Sequence, residues 1–387
     1  MNSPPCNQSP SNGPLQGLRV VEFAGIGPGP FAGMLLADMG ADVIVVDRAS
    51  DVRSGSPRMP LQRGKRSLAL NLKHSAGREV VWQLLERSDA LIEGFRPGVM
   101  ERLGFGPEAV LARQPRMVYG RMTGWGQAGP LAQAAGHDIN YVALTGALDT
   151  TRREGQAPVL PATLVGDMGG GAMFLLFGLL CALHAARQTG RGQVVDAAIV
   201  DGVATMGALV SQMRAIRYWS DDPAHNFFLH RSPFYDAFEC ADGKFVSLGA
   251  IEPAFYAEML HRLGLTDVDA QRQYRTQDWP ALRRRVAERI KTRTRDAWCA
   301  ELEGTDACFA PVLNFDEAAV HPHNLARGLF VEVDGHRPPG RAALLSATPA
   351  LAPAAGARIG EHTDEVLSEL GLDAEAIARL RDDQACA

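Results

Sequence analysis

Short apolar runs alternate with helix-like amphipathic runs along the first half of this 387-residue sequence. Residues 18–24 predict a strand, residues 31–39 a helix that ends at Gly40, and residues 43–46 a second strand. A strand, a helix and a strand in such close succession form a βαβ unit, which implies a parallel sheet with right-handed crossovers.

The alternation continues to about residue 217. The later elements are helices at 77–87, 107–112 and 169–186, strands at 90–93, 116–122 and 193–196, and a last helix that ends near 217. The apolar run 172–183 is too short to span a bilayer, so it predicts a buried helix that places Cys181 in the core. We therefore expect a Rossmann-like α/β domain with a parallel sheet over residues 15–217.

The pattern changes after Tyr218. Short strands are predicted at 236–240 and 244–248, and Asp242-Gly243 between them predicts a hairpin turn. Further helices are expected at about 253–263, 280–290 and 362–381. The middle of the chain therefore predicts a smaller α+β domain.

Composition and charge exclude several classes of protein. Lys and Arg number 39 against 44 Asp and Glu, so the net charge of −5 includes no basic excess for binding nucleic acid. The six cysteines show no C-x-x-C spacing, which argues against a disulfide framework or a zinc site. Residues 1–14 lack the features of a signal peptide and predict a flexible tail. We expect a soluble cytoplasmic protein that binds no metal and no membrane.

Glycine is abundant, with 40 residues, and the first cluster has the spacing of a dinucleotide-binding turn. Residues 27–32 fit G-x-G-x-x-A between a strand and a helix, and Asp47 follows 20 residues after Gly27. However, Pro28 and Pro30 lack the backbone N–H groups that would hold a pyrophosphate. We favour a tight, closely packed turn over a NAD or FAD site.

Two later glycine clusters each surround a titratable side chain. His137 lies in the run 124–141 and Asp167 in the run 165–171, each after a predicted strand, where α/β sheets bind ligands. Three glycines follow Asp167 at the predicted start of a helix. Glycine costs helix stability there, so we expect a ligand to approach the backbone, and the first-turn amides could then hold a developing oxyanion.

Each of these two residues also has a structural interpretation. Asp167 alone could be a helix N-cap, and a single histidine is more often structural than catalytic. Histidine nevertheless takes and returns a proton near neutral pH, and His137 lies in a glycine-flanked segment beside Asp138. We therefore interpret His137 and Asp167 as candidate acid/base groups.

Several long phrases of the sequence carry a family resemblance. They include L-R-V-V-E-F-A-G-I-G-P-G-P, R-M-T-G-W-G-Q-A-G-P, G-H-D-I-N-Y, V-G-D-M-G-G-G and G-E-H-T-D-E-V-L. With them the chain resembles the family III CoA-transferase superfamily of the CaiB/BaiF type, and within it the α-methylacyl-CoA racemases. The phrase G-H-D-I-N-Y favours the racemases, because transferases of the same fold lack the histidine there but keep the aspartate.

The resemblance implies an enzyme that interconverts (2R)- and (2S)-2-methylacyl-CoA thioesters through an enolate, as part of fatty acid metabolism. His137 and Asp167 would flank the α-carbon, each acting as base for one epimer and as acid for the other. Glu252 would orient His137, Asp138 would support the pair, and Tyr235 would line the acyl pocket. Coenzyme A enters as part of the substrate, and no further cofactor is implied.

The resemblance also implies a set of coenzyme A contacts. Arg48 would serve the adenosine end, where cationic side chains suit phosphates. The remaining positions are Leu70, Asn71, Leu72, Lys73, Gly94, Phe95, Arg96 and Arg102, together with Gly136, Ile139, Asn140 and Tyr141 around the histidine.

Members of the family form an interlocked homodimer. Their large domain combines the first part of the chain with the last, and the small domain lies between. The resemblance therefore implies a large CoA-binding domain of residues 15–217 and 325–387, a small domain of residues 225–324, and a homodimer.

The nearest alternative is a family III CoA-transferase. There Asp167 would act as nucleophile and form a mixed anhydride with the acyl group while CoA moves between carboxylic acids. His137 would then have no clear role. A catalytically silent acyl-CoA-binding protein would leave both acid/base groups unexplained.

Overall fold

The computed structural model describes residues 13–53, 57–153 and 155–387, which form two compact units. The larger unit contains the chain up to Thr145, Pro161–Met206 and Ala326–Ala387, and the smaller contains Gly146–Leu160 and Gly207–Leu325. Of the flexible tail expected at 1–14, residues 1–12 lie outside the described residues.

The unit boundaries differ from the expected ones at two places. We expected residues 146–160 and 207–217 in the large domain, but both belong to the smaller unit. Ion pairs tie them there: Arg153 contacts Asp236 at 2.8 Å, and Arg214 contacts Asp221 at 3.0 Å. The local hydrophobic pattern carries no signal of such pairs.

A six-stranded parallel sheet forms the centre of the larger unit. Its strands are β1 Arg19–Phe23, β2 Asp42–Arg48, β3 Arg66–Leu70, β4 Ala90–Glu93, β5 Val118–Thr123 and β6 Val194–Ala198. Their order is β3-β2-β1-β4-β5-β6, and all neighbours run parallel. The strand order reverses between β1 and β4, which is where such sheets open a ligand crevice. The parallel α/β fold is confirmed, although β3 was not expected.

The helices were predicted less completely than the strands. They are α1 Pro28–Asp38, α2 Ser75–Leu85, α3 Val99–Leu103, α4 Pro107–Arg113, α5 Asp138–Leu144, α6 Met173–Thr189, α7 Ile199–Met206, α8 Ala208–Ala215, α9 Pro253–Arg262, α10 Trp279–Ile290, α11 Arg295–Leu302, α12 Phe315–Val320, α13 Pro322–Arg327, α14 Thr363–Glu369 and α15 Ala374–Asp382. The helix expected at 362–381 is thus two helices, with Gly371 between them in the left-handed region (φ 99°).

The predicted buried helix starts earlier than expected and is only half buried. A π-helical segment, Leu164–Ala172, precedes α6, so the helical run starts before Asp167 rather than at Gly169. One face of α6 is buried, whereas Phe177 is 69% exposed and Cys181 is exposed, so the placement of Cys181 in the core was wrong. Among the described residues, Leu164–Thr189 is one helix long and apolar enough to cross a membrane by length and composition alone.

The last residues of the sequence pack against the larger sheet. Val366, Leu367 and Ile377 of α14 and α15 join its hydrophobic core. Cys386 then pairs in antiparallel fashion with Leu70 at the edge strand β3. Two backbone hydrogen bonds extend this pairing, from the Asn71 N–H to the Ala385 carbonyl (2.9 Å) and from the Ala387 N–H to the Ala69 carbonyl (3.2 Å).

The smaller unit has its own sheet and core. Its strands are β7 Tyr235–Glu239, β8 Phe245–Gly249 and β9 Phe309–Val312, in the order β7-β8-β9. Both pairs are antiparallel, which confirms the predicted hairpin between β7 and β8. Phe234, Tyr256 and Trp298 are completely or almost completely buried in its core.

Candidate active site

A cavity of about 560 Å³ opens at the carboxyl ends of β1, β4 and β5 in the larger unit. Both His137 and Asp167 line this acid/base cavity, so the structure brings the two predicted groups together. The His137 side chain is exposed and that of Asp167 is half buried. The walls between them are largely apolar and include Phe23, Ile92 and Met122.

Asp167 is fixed from behind by Asp138. The Asp167 N–H donates to Asp138 Oδ1 at 2.7 Å, and the Thr163 N–H donates to Asp138 Oδ2 at 3.2 Å. Gly166 makes this approach possible, because a Cβ there would lie 2.2 Å from Asp138 Oδ1. Asp138 therefore holds the backbone that carries Asp167 and is itself buried.

The structure excludes the alternative interpretation of Asp167 and corrects one expectation about its amide. Asp167 is not the N-cap of a helix, because Thr163 occupies that position and Asp167 lies within the π-helical segment. Its amide is not free for an oxyanion either, since Asp138 accepts it, and the Met168 N–H donates to the Thr163 carbonyl at 3.0 Å.

Burial raises the pKa of Asp167, and the neighbouring Asp138 carboxylate raises it further, while His137 opposes the shift. Desolvation and a nearby negative charge both disfavour the ionised form of a carboxyl group. Asp167 therefore holds its proton at higher pH than an ordinary aspartate, which suits a group that must act in both protonation states.

His137 precedes α5 and is positioned by its backbone. The His137 N–H donates to Asn140 Oδ1 at 3.0 Å, and its carbonyl accepts the Asn140 N–H at 2.8 Å. The Tyr141 hydroxyl donates to the Gly136 carbonyl, and its ring packs edge-on against Trp125 with centroids 4.7 Å apart. The segment 136–141 is thus rigidly held while the imidazole faces the cavity.

The glycines of the two clusters serve packing within the protein. A Cβ on Gly124 would lie 2.0 Å from the Tyr141 ring, and one on Gly170 would lie 2.4 Å from Val203 of α7. Gly202 of α7 in turn approaches the Gly170 carbonyl, where a Cβ would lie at 1.8 Å. The expectation that a ligand approaches the backbone at Gly170 was therefore wrong, because a crossing helix needs the space. Gly124 makes room for an aromatic ring, although Gly124 and Gly136 also line the acid/base cavity.

The first glycine-proline turn, which we had interpreted only as a tight turn, also lines the acid/base cavity. A Cβ on Gly27 would lie 3.4 Å from Asp167 Oδ2, so the turn lies beside the catalytic candidate. A buried ion pair supports the turn from below: Lys65 Nζ donates to Glu22 Oε2 at 2.7 Å and to the Pro30 carbonyl at 2.8 Å. From the sequence we considered only the backbone N–H groups that the two prolines lack, so we did not predict that this turn lines the cavity.

A second cavity of about 880 Å³ lies at the carboxyl ends of β1, β2 and β3. We call it the cation-lined cavity, because Arg48, Lys73 and Arg381 line it. Phe23 and Phe95 line both cavities and contact each other edge-on, with ring centroids 6.3 Å apart. The two cavities therefore adjoin along one edge of the sheet.

Most predicted coenzyme A positions line one of the two cavities. Arg48, Leu70, Asn71, Leu72 and Lys73 line the cation-lined cavity; Gly94, Arg96, Gly136 and Tyr141 line the acid/base cavity; and Phe95 lines both. The linings do not include Arg102, Ile139 or Asn140.

Asn71 has a structural task. Its side-chain amide donates to the Gln384 carbonyl at 3.0 Å, and its Oδ1 accepts the Lys73 N–H at 3.1 Å. It thereby joins the turn after β3 to the last residues of the sequence.

Glu252 and Tyr235 lie in the smaller unit. Glu252 is exposed at the N-cap position of α9, and the preceding Ile251 carbonyl accepts hydrogen bonds from Gln273 (2.8 Å) and Tyr274 (2.6 Å). Tyr235 packs edge-on against Phe228, with ring centroids 5.1 Å apart. The backbone next to Glu252 and the ring of Tyr235 are therefore each held by contacts within that unit.

No group of three or more His, Cys, Asp or Glu side chains suited to a metal ion occurs among residues 13–53, 57–153 and 155–387. The acid/base cavity instead offers one imidazole and one carboxyl group. Such a pair can move a proton but supplies no set of ligands for a cation.

Comparison with known proteins points to one family. A sequence profile of CoA-transferase family III matches residues 15–363. The chain is 43% identical to α-methylacyl-CoA racemase from Mus musculus and 41% identical to that from Homo sapiens, in each case over 96% of this chain and 97% of the relative. The fold is similar to the crystal structure of a CaiB/BaiF family protein from Brucella suis, with a TM-score of 0.79, 26% identity, and coverage of 93% of this chain and 100% of that one.

Proposed function

The chain belongs to CoA-transferase family III, and we propose that within this family it is a racemase that interconverts (2R)- and (2S)-2-methylacyl-CoA thioesters. The observation that carries the proposal is the placement of His137 and Asp167 in one cavity. Relatives named α-methylacyl-CoA racemase, 41% and 43% identical over nearly the whole chain, support the same reaction.

The reaction needs two acid/base groups because inversion removes a proton from one face of the α-carbon and returns one to the other. The thioester acidifies that proton, and the enolate lies between the two groups. One group must begin deprotonated and the other protonated. The raised pKa of Asp167 fits this requirement, since the carboxyl must carry the proton in one direction of the reaction.

Other residues would position the pair and the substrate. We propose that Asp138 fixes Asp167, that Glu252 orients His137, and that Tyr235 contributes to the acyl pocket. The cation-lined cavity would take the nucleotide end of coenzyme A through charge-assisted hydrogen bonds. Because the Asp167 and Met168 amides are already bonded, the enolate oxygen must find its donors elsewhere in the cavity. The reaction requires no metal or redox cofactor.

CoA transfer is the second candidate function, since the half-buried Asp167 carboxyl could also act as a nucleophile. That reaction gives no task to an imidazole in the same cavity. It also needs an acceptor carboxylic acid, whereas racemisation needs only the thioester and water-derived protons.

The test is incubation of one epimer of a 2-methyl-branched fatty acyl-CoA with the enzyme in D₂O. We expect loss of optical purity together with deuterium at the α-carbon, without any acceptor acid. Thioester transfer to an added carboxylate, without α-exchange, would favour the transferase and rule out the racemase.

We also propose that the protein is a cytoplasmic homodimer whose partner covers the apolar face of α6. Met173 and Phe177 on this face are 50% and 69% exposed, which is costly for a monomer in water. Light scattering should give twice the 41.6 kDa chain mass, and Phe177→Asp should shift the protein toward monomer. A monomeric wild type would contradict this assignment.

A further inference from the structure

We propose that Arg381, at the end of α15, binds a phosphate group of the coenzyme A nucleotide. The inference rests on the proposed function only in taking a CoA thioester as the ligand. Neither the charge pattern nor the family resemblance drew attention to the last residues of the sequence, and only the fold places Arg381 beside Arg48 and Lys73 in the cation-lined cavity.

The wall that carries Arg381 is part of the folded sheet. Segment 381–387 leaves α15, and Gln384, with φ 57°, turns the chain toward β3. Residues 385–387 then pair with the β3 edge through the backbone hydrogen bonds of Asn71 and Ala69. Gln384, Cys386 and Ala387 line the same cavity, so this wall is fixed to the strand that ends at Leu70.

The charges around the cavity favour a polyanion. Arg48, Lys73 and Arg381 contribute three positive charges, and the Arg48 and Lys73 side chains are exposed. The lining also includes Asp47, which accepts a hydrogen bond from Ser67 Oγ at 2.5 Å and whose burial raises its pKa, which disfavours a negative charge there. A nucleotide with several phosphate groups is the coenzyme A part that matches such a surface.

An ion pair orients the Arg381 guanidinium and leaves some of its N–H donors free. The guanidinium pairs with Asp364 through Nη1 (3.1 Å) and Nη2 (2.7 Å), and the Arg381 side chain remains 45% exposed. A guanidinium carries five N–H donors in a planar fork, so donors remain for a phosphate after a carboxylate has been bound. Asp364 therefore sets the direction of the fork.

Arg379 provides a matched control. It lies two residues away on α15 and pairs with Glu375 at 2.7 Å, but it does not line the cavity. An effect of general helix charge would appear in Arg379→Ala as well as in Arg381→Ala, whereas a direct phosphate contact would appear only in the latter.

The experiment measures binding of adenosine 3′,5′-bisphosphate to the full chain by calorimetry. Arg381→Ala should weaken binding about tenfold, as expected for loss of a charged hydrogen bond, and Arg381→Lys should lose less. Arg379→Ala should stay within about twofold of wild type. Asp364→Asn keeps the Arg381 cation but loosens its orientation, so we expect an intermediate loss of bisphosphate affinity. This variant keeps the test valid if Arg381→Ala folds poorly.

Kinetics with truncated substrates give a second readout. Arg381→Ala should raise KM for a 2-methylacyl-CoA but leave the matching acyl-pantetheine thioester, which has no nucleotide, unaffected. An acyl-dephospho-CoA then shows whether the 3′-phosphate or the diphosphate is the partner. Unchanged bisphosphate binding in Arg381→Ala, an equal loss with the pantetheine thioester, or no bisphosphate binding by the wild type would each overturn the proposal. Because the calorimetric test involves no turnover, its result is independent of whether the enzyme racemises or transfers its substrate.

Discussion

The two adjoining cavities of the larger unit are built in different ways. The acid/base cavity places each candidate group on backbone that is held by local hydrogen bonds, and at Gly166 by a glycine that leaves no room for a side chain. The cation-lined cavity presents exposed side chains on long flexible stems, of which Arg381 is steadied by Asp364. We therefore expect the function of the acid/base cavity to depend on geometry and that of the cation-lined cavity to depend on charge. Substitutions in the acid/base cavity should mainly lower kcat, whereas substitutions in the cation-lined cavity should mainly raise KM.

The largest expected effect comes from the acid/base pair. Asp167→Asn keeps the N–H that donates to Asp138 but removes the proton-transfer group, so kcat for racemisation should fall about a thousandfold. Bisphosphate binding should remain at the wild-type level. Racemase assays and calorimetry check both parts, and turnover close to wild type would contradict the role of Asp167.

His137→Ala should lower kcat for racemisation as much as Asp167→Asn does, and it should likewise leave bisphosphate binding at the wild-type level. The informative measurement is α-proton exchange in D₂O with each epimer separately. The epimer whose α-proton faces Asp167 should still exchange without inversion, while the other should not. Equal loss of exchange from both epimers would show that the two groups do not serve opposite faces.

A smaller effect is expected from Gly166→Ala. The added Cβ would lie 2.2 Å from Asp138 Oδ1, so Asp138 and the backbone of Asp167 must shift. Misplacement of a catalytic group by about 1 Å can cost up to roughly a hundredfold in rate, and we expect kcat to fall toward that extent with KM little changed. Gly249→Ala is the control, because Gly249 does not line the acid/base cavity and its Cβ would meet nothing nearer than the Cys308 carbonyl at 3.8 Å. An equal loss of kcat in the two variants would show that the close approach of Gly166 to Asp138 does not position Asp167.

Arg48→Ala tests the other cavity. Removing one cation from a phosphate site should raise KM for the CoA thioester about tenfold while kcat stays near wild type. Steady-state kinetics at two salt concentrations check this, because screening should shrink the difference between wild type and variant. A fall in kcat with unchanged KM would contradict the division of labour between the cavities.

The smallest expected effect is a shift in pH dependence. Asp138→Asn keeps an oxygen that accepts the Asp167 N–H but gives up the hydrogen bond from the Thr163 N–H, and it removes the charge that raises the pKa of Asp167. That pKa should therefore fall, and the acid limb of the kcat/KM profile should move to lower pH in the direction where Asp167 acts as the base. Profiles measured in both directions provide the check, and a shift to higher pH would show that Asp138 does not act through its charge.

Local pattern was sufficient for the parallel strands and for the β7–β8 hairpin, because alternating apolar runs and the Asp242-Gly243 turn are short-range signals. It was insufficient for β3, where only Leu68, Ala69 and Leu70 are apolar, and for the π-helical segment, whose start depends on Asp138 contacting Thr163 and Asp167.

The candidate site was predicted in part for the wrong reason. The glycine clusters did lead to His137 and Asp167, which share a cavity. Yet Gly124 and Gly170 make room for Tyr141 and Val203, contacts that no local pattern can show. The lining by Gly27 was missed for a similar reason: its part in the cavity depends on its nearness to Asp167, not on the backbone donors that Pro28 and Pro30 lack.

The pairing of residues 385–387 with β3 also bears on how the chain is made. The hydrogen bond from Asn71 to the Gln384 carbonyl spans 313 positions, so a ribosome synthesises β3 long before the segment that covers its edge. During that interval β3 presents unpaired backbone groups, which invite contacts with other nascent chains. Pairing of residues 385–387 with Ala69 and Asn71 thus shields this end of the edge and forms one wall of the cation-lined cavity in the same step.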